Sequence, residues 1–89
     1  MTRKAVEVSI KEGLDTRPIA MLVQMASQYD STVYIESEDK HVNAKSIMGM
    51  MTLALKNGDK VDVVTEGNDE SDAADKICNF LNGVDLASE

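Results

Sequence analysis

Asn57-Gly58-Asp59-Lys60-Val61-Asp62-Val63-Val64-Thr65-Glu66-Gly67 is a strand framed by turns. Asn-Gly-Asp is a strong turn signal, because these residues tolerate the positive φ of tight reversals. Val61, Val63 and Thr65 then alternate with Asp62, Val64 and Glu66, the period of a strand with one buried face. Gly67 and Asn68 close the strand and introduce a final helix. Its start is marked by Asp69, Glu70 and Asp72, where the helix dipole favours negative charge. Ala74, Ile77, Cys78 and Leu81 supply its apolar stripe.

Toward the N-terminus, Ser46 is placed to cap a short helix over Ile47 to Leu53. His41 to Ala44 reads as a short strand, Ser37 to Lys40 as a polar turn, and Thr32 to Glu36 as a β-branched and aromatic strand. Earlier still, Ile19, Leu22, Val23, Ala26 and Tyr29 recur at helical spacing. Thr16 is the expected cap of that helix, and Pro18 is tolerated in its first turn. Val6, Val8 and Ile10 alternate with Glu7, Ser9 and Lys11 as the first strand, which Gly13 ends. The tail from Val84 to Glu89 has little to bury and is expected to fray. The order is β-α-β-β-α-β-α. Four short strands with short connections predict an α+β open-faced sandwich, a four-stranded antiparallel sheet with three helices on one face.

The 89 residues are the scale of one domain, residues 1–89. A hydrophobic content of 43% with 28% charged residues belongs to a folded chain rather than a disordered one. The net charge of −7 opposes binding to nucleic acid or anionic membranes, so the expected partners are proteins. No apolar run has the length of a signal peptide or a membrane span. The one cysteine, Cys78, cannot form an internal disulfide, which fits a reducing, cytoplasmic setting and a core or boundary role on the last helix. Glu66, Asp69, Glu70, Asp72 and Asp75 lack the spacing of a calcium loop and read as a solvated acidic face; no metal or cofactor is expected.

Asn43-Ala44-Lys45-Ser46-Ile47-Met48-Gly49 supports two readings. Ser46 is either a plain helix cap, or a hydroxyl at which a phosphate would be accepted by the first-turn amides and paired with Lys45. The helix that follows is apolar nearly all round, yet one so short can bury only one face. Part of Ile47, Met48, Met50, Met51 and Leu53 must therefore be exposed, as a docking patch of adaptable thioethers, unless the methionines fill irregular core gaps.

The same segment resembles the regulatory-serine segment of the HPr family, the phosphocarriers of the bacterial sugar phosphotransferase system. Gly13-Leu14-Asp15-Thr16-Arg17-Pro18 resembles that family's active-site loop, and Asn57-Gly58-Asp59 with Glu66-Gly67 match its later turns. The similarity runs from about Val6 to Leu81. It implies an HPr-like fold and contacts through Asp15, Thr16, Arg17, Lys45, Ser46, Ile47, Met48 and Met51.

In the family, the residue between Leu14 and Thr16 is a histidine that accepts phosphate from Enzyme I. Here it is Asp15, and the only histidine, His41, cannot be mapped onto that loop. Imidazole, with a pKa near about 6.5, is a good nucleophile at neutral pH, whereas a carboxylate with a pKa near about 3.9 is already anionic and repels the incoming group. Asp15 is then either a helix-start acid beside Arg17 or a fixed negative charge where a carrier holds a transient phosphate. The pattern is similar to that of the HPr-like catabolite-repression proteins called Crh, which lack the histidine and keep the serine, although they usually carry glutamine at this position. That resemblance implies phosphorylation of Ser46 by HPr kinase/phosphorylase and action as a corepressor of a LacI-type catabolite control repressor. The alternative is a phosphoryl carrier between Enzyme I and sugar-specific components, with Asp15, natural or engineered, at the acceptor position.

Overall fold

The computed structural model describes residues 1–10 and 16–83, Thr16 by its backbone alone. The elements run β1 (Thr2–Glu7), α1 (Thr16–Ser27), β2 (Thr32–Ser37), β3 (Lys40–Asn43), α2 (Ile47–Leu53), β4 (Lys60–Glu66) and α3 (Glu70–Leu81). Their order is the expected one. The four strands form an antiparallel sheet in the order β1-β4-β2-β3, with β1 and β3 at its edges.

The pleat sorts the strands into two faces. One row across the sheet aligns Lys4, Val63, Ile35 and Val42; the next aligns Ala5, Asp62, Glu36 and His41. Val33, Ile35, Val61 and Val63 point into the core, where they meet Leu22 of α1, Met50 of α2 and Ile77, Phe80 and Leu81 of α3. Burying this apolar surface is what holds the helices on the sheet. The opposite face is polar. There Arg3 meets Glu36 and Asp62, and the rings of Tyr34 and His41 stack with centroids 4.4 Å apart. His41 is thus a solvated residue of β3.

The first strand departs from its expected bounds. Pairing with β4 spans Thr2 to Glu7, and the alternation of Val6, Val8 and Ile10 carries on past its end. The ladder stops because the chain turns to other partners: Val8 N–H donates to the Asp59 carbonyl, and Ser9 N–H to that of Leu81. The polar stretch from Thr2 to Ala5 joins the sheet because β4 offers it a complete edge, with partners from Thr65 back to Asp62 that lie far along the chain and that local pattern does not reveal.

Three smaller differences concern the helices. Thr16 is the first helical residue rather than the cap, and Tyr29 lies beyond the end of α1, half-buried against the core. Pro18 sits in the first turn, where a missing N–H leaves no bond unmade. Phe80, outside the expected stripe of α3, is its largest fully buried side chain, while Cys78 is only half-buried. Burial pushes the Cys78 thiol up, away from the thiolate that reactivity requires.

Asp69 occupies the N-cap position of α3, but its side chain makes no capping bond to that helix. Its carboxylate accepts the Asp30 N–H at 3.0 Å, the Ser31 N–H at 3.0 Å and the Ser31 hydroxyl, tying the α1–β2 connection to the start of α3. Gly67 makes room for this joint: its φ is +148°, and a Cβ there would lie 2.6 Å from Ser31 Oγ. Among the described residues no helix is long and apolar enough to cross a membrane. Gly13, Leu14 and Asp15 of the loop, and the tail from Val84 to Glu89, lie outside the described residues.

Candidate functional site

The site is built where β3 ends. Ala44, fully buried, donates its N–H to the Val33 carbonyl at 2.8 Å and so prolongs the pairing with β2 by one bond. The Asn43 side chain then turns the chain, its Oδ1 accepting the Lys45 N–H at 2.8 Å while its carbonyl accepts the Ser46 N–H at 3.0 Å. Sequence reading gave Asn43 no role; an asparagine three residues before a capping serine is the signal for one.

Ser46 is the N-cap of α2. Its backbone is extended, with φ −114° and ψ 117°, and its Oγ accepts the Gly49 N–H at 3.1 Å. This cap satisfies one of the first-turn amides that the helix cannot satisfy itself. The helix runs over Ile47–Leu53, the expected span. At its far end Lys40 Nζ donates to the Thr52 carbonyl at 3.2 Å, and Ala54 adopts the left-handed conformation with φ 50° and ψ 46°.

Helical spacing divides the apolar residues of α2 between core and solvent. Met50 and Leu53 are buried, while Ile47, Met48 and Met51 are exposed, Met48 at 81% against 1% for Met50. Three large apolar side chains thus stand open beside the Ser46 hydroxyl. Core filling accounts for Met50, and the patch accounts for Met48 and Met51.

Lys45 is engaged elsewhere. Its ammonium donates to the Tyr29 carbonyl at 2.8 Å, joining the start of α2 to the end of α1. In this conformation it braces two helices rather than offering a free cation to Ser46. Arg17 is exposed in the first turn of α1. Asp15, and the side chain of Thr16, lie outside the described residues, while α1, which carries Arg17, packs against α2.

Comparison with known proteins agrees with this architecture. The family model described as the PTS HPr component phosphorylation site matches residues 2–83. The chain is 47% identical over 81 residues to the HPr-like protein Crh of Halalkalibacterium halodurans, covering 91% of this chain and 96% of that one. It is 37% identical over 83 residues to the phosphocarrier protein HPr of Neisseria meningitidis, covering 93% of each. Among solved structures, HPr-C-His from Thermoanaerobacter tengcongensis superposes with a TM-score of 0.88 at 38% identity over 94% of both chains. Crh of Bacillus subtilis, whose crystal structure is described as a swapped dimer, gives 0.77 at 42% identity, covering 94% of this chain and 97% of that one. With family model, relatives and fold in agreement, the chain belongs to the HPr family, as a Crh-like member whose role lies in the phosphotransferase system and catabolite repression.

Proposed function

We propose that the protein is a regulatory phosphoprotein, modified on Ser46 by HPr kinase/phosphorylase and read out through the apolar patch of α2. One observation carries this reading: the capping hydroxyl of Ser46 borders the exposed Ile47, Met48 and Met51. Phosphate on Ser46 would place about two negative charges beside that patch, close to first-turn amides that favour an anion. The partner of the phosphorylated form would be a LacI-type catabolite control repressor, its basic groups meeting the phosphate and its apolar groups the methionines. Such a surface gives recognition only when both halves are present. Asp15 and Arg17 would form a second contact, with Asp15 a permanent negative charge in the loop where a carrier has its histidine.

Two incubations separate this reading from phosphoryl transfer. The protein is treated with HPr kinase and ATP, and separately with Enzyme I and phosphoenolpyruvate, and the phosphate is located by mass spectrometry. Label on Ser46 in the first reaction alone is the expected result. Rapid, hydroxylamine-labile label on Asp15 in the second would instead make the protein a carrier through an aspartyl phosphate.

A further inference from the structure

None of the six side chains of β1 is buried, and only Val6 packs partly against the core. The neighbouring β4 buries Val61, Val63, Val64 and Thr65. Beyond its backbone ladder, β1 is therefore fastened by polar groups, and these act on both faces of the sheet. On the open face Arg3 Nη1 donates to Glu36 Oε1 of β2 at 2.6 Å and to Asp62 Oδ2 of β4 at 3.0 Å. On the helical face Lys4 pairs with Asp75 of α3, the Thr2 hydroxyl donates to Glu70 Oε2 at 2.7 Å, and the Met1 ammonium lies 3.0 Å from the same oxygen. Successive residues thus grip β4 and β2 on one side and α3 on the other.

We infer that β1 is an ionically clasped strap, the first element of the sheet to release when its charges are screened or removed. The reason is a difference in how the two kinds of contact respond to salt. Burial of apolar side chains is not weakened by sodium chloride in this way, whereas pairs between half-exposed ions are. The screening length falls from about 30 Å at 0.01 M to about 3 Å at 1 M. The chain as a whole responds in the opposite sense. With a net charge of −7 it repels itself, so screening firms the fold while it loosens the clasp. Release of β1 would uncover the pairing edge of β4 without disturbing the core on which Val33, Ile35 and Val63 depend.

Amide hydrogen exchange of the whole protein at 0.01 M and 1 M sodium chloride tests this. The β1 amides bonded to β4 should exchange about tenfold faster at 1 M, while those of β2 and α3 hold or slow. The double variant R3M/K4M should show the fast β1 exchange already at 0.01 M and little further change with salt. The inference is overturned if the β1 amides of the wild type follow those of β2 in both salts, or if the variant keeps the wild-type salt response. The wild-type measurement decides the matter even if the variant fails to fold.

Discussion

Ser46 and Ala54 stand at the two ends of α2 and show how single residues shape the site. The serine satisfies a first-turn amide with its own hydroxyl, a use of side-chain chemistry visible in sequence because serine is among the best caps. Ala54 has no such aptitude. It holds φ 50° and ψ 46°, a conformation in which its Cβ crowds the following carbonyl. Glycine would remove that conflict, so Ala54→Gly should stabilise the protein by about 1 kcal/mol, read from urea denaturation midpoints. An unchanged or lower midpoint would mean that the left-handed turn is not retained in solution. Lys45 carries a different lesson: its place beside Ser46 in sequence suggested a phosphate partner, yet its long side chain reaches back to the Tyr29 carbonyl. Neighbours in sequence need not share a target.

At the scale of the element, α2 shows one residue type in two environments. Met48 and Met50 are two positions apart, and a helix turns about 100° per residue, so the pair face different ways. Met50→Ala should cost about 2–5 kcal/mol, because it empties a packed site, whereas Met48→Ala should change stability by less than about 0.5 kcal/mol. Thermal unfolding of both variants gives the comparison. Equal losses would contradict the orientation of α2, and with it the exposed patch. Both the span of this helix and the need for some apolar exposure were legible in its sequence. Which methionine would be covered was not, since that depends on how α2 lies against the core.

Across the whole molecule, three carboxylates join segments far apart in the chain. The Thr2 hydroxyl, the N-terminal ammonium and the Gly67 N–H hold Glu70 down to about 2. Asp69 is lowered by the Ser31 hydroxyl and then by the Asp30 and Ser31 N–H groups, and Glu36 by the Arg3 guanidinium and then by His41. A depressed folded-state value means that the folded protein binds these protons more weakly than the unfolded chain does. The associated stability is complete above the ordinary carboxylate range, near about pH 4, and is lost as pH falls below it. The thermal midpoint should therefore drop between about pH 4 and pH 2, with Glu70 staying ionised until the pH nears about 2. Glu70→Gln should flatten the lower part of that profile; an unaltered profile would show that the N-terminal joint adds nothing to acid stability.

The sequence by itself determined the kinds of element and their order, the capped span of α2 and the polar turns, because each is set by interactions within a few residues. It also carried the family resemblance, through motifs at residues 13–18 and 43–49. Tertiary structure alone decided the extent of β1, the burial of Phe80, the use of Asp69 as a brace for Ser31 and the division of α2 between core and solvent. These share one physical cause: the partner that fixes each residue lies tens of positions away, and only folding brings the two together.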